Sequence, residues 1–249
     1  MRVKVMTGAA GAALILIYSM GMAEQHEDYT TQIDVDPASK ARIEFIEKYW
    51  DFGVVPGGFV VYHNFALRNT GSDTLVITRV KPTCGCTAAP LSSDRIAPGD
   101  TAMISVSLDT SKLHGKVRKF VNIDCNDPIN PYYKITFDAR IDSLEQTISV
   151  DPAAADFGDF ESGKAPRVDL KITNTGSAAL NLSVADKPGD EIITAKFGES
   201  TLDPGKSTTL SLRLVSEVEP GRFASTVAVE SGDDSSTRIS VPVMGNVID

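Results

Sequence analysis

An internal repeat constrains this chain more than any other feature. Asp51-Phe52-Gly53 recurs as Asp156-Phe157-Gly158, and Asn69-Thr70-Gly71-Ser72 as Asn174-Thr175-Gly176-Ser177. Pro98-Gly99 recurs as Pro204-Gly205, and Gly115 as Gly221. The offsets are 105 or 106 throughout, so one residue of slippage separates the whole series. Residues 33–38 also match residues 148–153, at an offset of 115. That alignment places about ten extra residues in the first half, residues 42–50 among them. Self-similarity over such a span marks one structural unit used twice.

Each copy reads as short strands between turns. In the first half, residues 59–69, 74–80, 102–108, 117–125 and 132–141 are β-rich or alternate apolar with polar side chains. The second half repeats this at 168–173, 180–184, 208–214, 223–230 and 238–243. Period-two patterning with regularly spaced turns predicts an all-β fold of two tandem immunoglobulin-like antiparallel β-sandwiches. Only residues 38–47 suit a short helix, and a strand or loop suits them equally. Asn69-Thr70-Gly71 is expected to supply the positive φ of a tight turn, and Pro98-Gly99 to launch the next strand. The expected divisions are a signal peptide over 1–23, a flexible mature start over 24–31, a first domain over 32–142 and a second over 146–249. The short linker between them predicts limited freedom.

The N-terminus reads as an export signal. Arg2 and Lys4 precede an apolar and small-residue run, and Gly21 and Ala23 stand at the −3 and −1 positions of a cleavage site. The run is short and glycine-rich against the roughly 20 apolar residues of a spanning helix, which favours cleavage over a retained anchor. No cysteine precedes Cys84 to accept a lipid. A periplasmic or secreted product, without membrane insertion after cleavage, is expected. Without Arg2 and Lys4 the basic residues number 22 against 33 acidic, a net charge of −11. Such a chain repels phosphate backbones and carries no basic run, so nucleic acid is not an expected partner. Solubility is the plain reading of the charge.

Cys84-Gly85-Cys86-Thr87 is the element most suggestive of chemistry, and Cys125 is the one other cysteine. Cys84 and Cys86 are candidates for a short-loop disulfide, structural or redox-active, or for ligands of a soft ion such as copper or zinc. Bonds to other cysteines are a further option, and spacing alone does not fix connectivity. His114, beside Gly115, is a candidate third metal ligand if the strand before the cysteines runs antiparallel to the strand after Gly115. The same argument puts Cys125 more than about 20 Å from the pair, too far for a bridge. Cys125 shares parity with Val121 and Ile123 and is expected to point inward.

The first half resembles the bacterial domain of unknown function 1573 family. The resemblance rests on the asparagine-glycine turn, Cys84-Gly85-Cys86-Thr87, Ile96-Ala97-Pro98-Gly99-Asp100, and Gly115 before a strand ending in Asn126-Asp127-Pro128. Both halves also look like the immunoglobulin-type domains of the ASH, hydin and major-sperm-protein group. The second half has Gly189 and Glu191 at about the positions of the cysteines, so any thiol function belongs to the first. The resemblance implies a fold and an exported setting and names no activity.

No serine-nucleophile elbow, zinc-protease motif, phosphate loop or dinucleotide fingerprint occurs in the chain. Asp127, Asp233 and Asp234 lack the dense oxygen ligands of a calcium loop. Tyr49 and Trp50 read as a cap on a core, or as a contact patch. His26 and His63 suggest no site. The expectation is a non-enzymatic binding or scaffolding module of the cell envelope, engaging an unidentified protein. Metal binding and thiol–disulfide chemistry are the rivals. Oligomeric state is not legible.

Overall fold

The alternation seen in the sequence becomes strands whose inward residues are apolar. The computed structural model describes residues 35–142, 147–188, 192–215, 219–232 and 237–248. The proposed signal peptide and mature start lie outside them. The first half contains β1 (Ile43–Phe45), β2 (Tyr49–Val55), β3 (Val60–Asn69), β4 (Leu75–Pro82), β5 (Thr87–Ala88), β6 (Arg95–Ile96), β7 (Thr101–Asp109), β8 (Gly115–Cys125) and β9 (Tyr132–Ile141). The second contains β10 (Ile148–Asp151), β11 (Ala155–Glu161), β12 (Arg167–Asn174), β13 (Leu180–Asp186), β14 (Ile193–Phe197), β15 (Thr201–Leu202), β16 (Ser207–Leu214), β17 (Gly221–Ser231) and β18 (Arg238–Ile248).

One sheet of the first sandwich has the order β1-β3-β7-β5, and its counterpart in the second is β10-β12-β16-β14. The remaining strands form a ten-stranded sheet, β15-β13-β17-β18-β2-β9-β8-β4-β6, with β11 also on β18. It therefore serves both sandwiches. Pairing is antiparallel except where β2 meets β9, β11 meets β18 and β18 meets β2. Phe52, Phe65, Leu67, Ile104 and Phe137 fill the first core. Ile148, Leu170, Leu210, Val227 and Val241 fill the second.

Strand register corrects the repeat. Ile43 pairs with Asn69, and Ile148 pairs with Asn174. The structural counterpart of Ile148 is thus Ile43, at the same offset of 105 as Asn69 and Asn174. The first half carries no ten-residue insertion between this strand and Asp51, and residues 35–38 belong to no strand. Residues 43–45 are strand, not helix.

The repeated asparagine is a pin across the sandwich. Asn69 is fully buried at the end of β3. Its Nδ2 donates to Asp73 C=O at 2.8 Å and to Ile96 C=O at 2.9 Å, while Oδ1 accepts Gly71 N–H at 3.0 Å. Asn174 repeats the set with Ala178, Leu202 and Gly176. Each side chain ties one sheet to a strand of the other, β6 or β15. The positive φ expected at Gly71 lies instead at Gly99, +85°, and Gly205, +74°. Gly71 is small for another reason, because a Cβ there would collide with the Lys40 carbonyl.

Replacing Asn174 with alanine strands the buried Leu202 carbonyl and removes the partners of the part-buried Ala178 carbonyl and Gly176 N–H. The expected loss is roughly 2–3 kcal/mol, read as a lower urea midpoint with unchanged slope.

Candidate functional site

The cysteine element forms where the chain changes sheet. β4 pairs with β8 as far as Pro82 opposite Val121. Thr83 then donates its N–H to Phe120 C=O at 3.0 Å, and the chain crosses to β5, which pairs with β7. Within the crossing, Cys84 and Cys86 are joined by a disulfide with Cα atoms 5.3 Å apart. Both are half-buried and Gly85 is exposed. Thr87 donates its N–H to Cys84 C=O at 3.3 Å, and Asp109 donates to Cys86 C=O at 2.9 Å. The Thr87 hydroxyl lies 3.4 Å from Cys84 Sγ and 4.0 Å from Cys86 Sγ. Backbone bonds thus hold both ends of the crossing. By loop-closure arithmetic, so short a ring stabilises the fold by only about 1.6 kcal/mol, against about 3 for a 15-residue loop.

The structure does not assemble Cys84, Cys86 and His114 into a metal site. β8 has 11 residues against 8 in β4, and it runs past the end of β4. β4 ends with Pro82 opposite Val121, six residues beyond Gly115, so the cysteine loop leaves β8 near its middle, at Phe120. His114 is an exposed loop residue immediately before β8. Among the described residues, no group of three or more His, Cys, Asp or Glu side chains is placed to hold a metal ion. Asp127 is a structural pin: its Oδ2 accepts Ile43 N–H at 3.1 Å and its Oδ1 accepts Ile129 N–H at 2.9 Å. Asp233 and Asp234, like Gly189 and Glu191, lie outside the described residues. Cys125 is a free thiol opposite Ile77, roughly 20 Å along β4 from Cys84. Its burial pushes the thiol pKa up to about 11.

Sequence reasoning overlooked the junction between the sandwiches. β2 pairs with β9 but is bulged between Asp51 and Val54. Gly53 occupies the bulge with φ +68°, and the Asp51 carboxylate accepts its N–H at 2.7 Å. Beyond the bulge Val54 pairs with Ile239 of β18. Arg238 donates to Asp51 C=O at 3.0 Å, the Ser240 hydroxyl to Phe52 C=O at 2.7 Å, and Tyr62 N–H to the Thr226 hydroxyl at 2.8 Å. The cores exchange members as well. Ala228 of the second sandwich packs in the first core, and Val54 of the first packs in the second.

Trp50 lies inside this junction. His63 stacks on it at 3.9 Å with the rings 4° from parallel. The Arg238 guanidinium covers the ring at 4.2 Å and pairs with Glu230 at 2.7 Å. One face cannot hold both groups, so the indole is sandwiched. His63 Nδ1 lies 2.7 Å from Asp186 and Nε2 lies 2.5 Å from Glu47. One carboxylate comes from each sandwich, so the ring bridges the two through both of its nitrogens. A signal was present in the sequence: His63 shares the inward parity of Val61, Phe65 and Leu67 on β3.

A second surface feature is an open sheet edge. β14 pairs with β16 on one side, and no described strand pairs with its other side. Val215 N–H donates to Ile192 C=O, and Gly198 N–H to Thr209 C=O. By alternation, the N–H groups of Ile193, Ala195 and Phe197 face outward. Beside this edge is an open groove of about 520 Å³ lined by Arg167, Thr194, Lys196, Arg213, Leu214 and neighbouring residues.

Two immunoglobulin-type sandwiches in tandem define the class of protein. Residues 43–141 match the family model described as protein of unknown function (DUF1573), and residues 146–246 match the HYDIN/CFA65/VesB-like Ig-like domain. No curated protein matches the chain significantly. Among solved structures, a Porphyromonas gingivalis protein of unknown function is similar at 13% identity and TM-score 0.36, over 82% of this chain and 99% of that one. The N-terminal Ig1-2 module of Drosophila receptor protein tyrosine phosphatase DLAR is similar at 10% identity and TM-score 0.40, over 83% and 99%. A PapD-like domain of human CEP192 is similar at 13% identity and TM-score 0.33, over 46% and 93%.

The junction gives a sharp test at Gly53. Alanine there meets an unfavourable φ and would collide with the Arg238 carbonyl. Gly53→Ala is expected to destabilise by roughly 2 kcal/mol or more. The single tryptophan reports it directly, as a red-shifted native emission.

Proposed function

We propose that the protein is an exported binding module of the cell envelope that takes an extended segment of a partner protein along β14. The observation that carries this reading is the open β14 edge with its outward N–H groups beside a groove. Main-chain bonds to such an edge supply affinity, and adjoining pockets supply side-chain selectivity. At 5 residues β14 is longer than the other strands at the ends of the sheet orders, which have 2 to 4; β11, paired only with β18, has 7 but is bulged between Asp156 and Asp159. Lys196 and Arg213 give the groove positive charge on a chain of net charge −9, Arg167 being paired with Asp169, and this favours an acidic partner segment. Export rests on the basic, apolar and small-residue order of the N-terminus. Fold by itself names no partner.

A photocrosslinker at Thr194 in living cells tests this reading. A discrete adduct is expected, with loss in Ala195→Pro, which removes one outward N–H but no ladder bond. The Lys196→Glu/Arg213→Glu double variant should reduce the adduct about tenfold or more, while both variants keep the parent circular dichroism. No adduct, or an adduct undiminished in folded variants, would contradict the β14 site.

A further inference from the structure

The Cys84–Cys86 bridge is placed as a reactive group would be, not as a staple. It spans one residue, so it constrains little chain. The crossing is already fastened by Thr83 to Phe120, Thr87 to Cys84 and Asp109 to Cys86 through the backbone. Opening the bridge leaves those bonds in place. Thr87 is itself buried, which holds its hydroxyl beside Cys84 Sγ. A disulfide sulfur carries no hydrogen, so in the oxidised state the hydroxyl is the donor.

We propose that Cys84 and Cys86 form a thiol–disulfide exchange site that oxidises dithiols. A substrate thiolate attacks Cys86 Sγ, the bridge breaks, and Cys84 leaves as a thiolate. The Thr87 hydroxyl donates a hydrogen bond to it, stabilising the leaving group. The second substrate thiolate then attacks the substrate sulfur of the mixed disulfide, and Cys86 leaves. The substrate ends as a disulfide, two electrons pass to the cysteine pair, and the two protons lost by the substrate thiols are balanced by two taken up by Cys84 and Cys86. Cys125, buried and distant along the strand, stays out of the exchange. This inference is independent of partner binding at β14.

The test is stopped-flow reduction of the purified protein by excess dithiothreitol, with acid trapping and mass-tagging of thiols. Oxidised glutathione serves as the reference disulfide under the same conditions. The bridge is expected to open about 100-fold faster than the reference, with two tags added, Cys125 untagged, and the thermal melt nearly unchanged. Thr87→Val should slow the opening about tenfold while its circular dichroism stays native. Cys84→Ser, which cannot re-form the bridge, should accumulate a mixed disulfide at Cys86 when given oxidised glutathione. Reduction no faster than the reference would overturn the proposal. So would a first domain that unfolds on reduction, since the bridge would then be a staple. A Thr87→Val rate equal to the parent's would remove the assigned role of the hydroxyl.

Discussion

Where β2 meets β18, two sandwiches become one body, and the rest of the architecture depends on that contact. Trp50 is held between His63 and Arg238; His63 lies within hydrogen-bond distance of Glu47 and Asp186, and Arg238 pairs with Glu230. Each part alone is modest. A cation over an indole contributes about 0.5–2 kcal/mol, and a backbone hydrogen bond about 1. Together with the exchange of Val54 and Ala228 between cores, they join the two sandwiches across their surfaces. The two sandwiches accordingly lie within one compact unit.

The repeated tripeptide shows how one sequence device serves two ends. In both copies the aspartate carboxylate accepts the glycine N–H two residues on, and the strand bulges there. In the first copy the bulge brings Gly53 against the backbone of Arg238. In the second, Gly158 faces open space. The partners at the junction differ too: Trp50 and His63 correspond at offset 105 to Ala155 and Val168. The same local geometry is therefore an interface in one domain and a free surface in the other.

The ten main strands were legible because period-two alternation and turn residues agreed along each of them. The short edge strands β5, β6, β14 and β15 were not, since two to five residues carry no readable period. The apparent insertion arose from matching Ile33 with Ile148. Pairing partners, absent from sequence, were needed to show that Ile43 is the counterpart. Cys84 and Cys86 stood out by residue type, whereas the place of His114 depended on strand lengths that the pattern blurred. His63 was passed over because a lone histidine in a strand says nothing of the aspartate and glutamate that a second domain and a loop bring to it.

Residual dipolar couplings of backbone amides, fitted separately for residues 43–141 and 148–248, test the joined-body account most directly. The account predicts that both sets fit one alignment tensor of common magnitude and orientation. Two tensors of different magnitude would contradict it, and the Trp50–His63–Arg238 stack would then not hold the sandwiches together in solution.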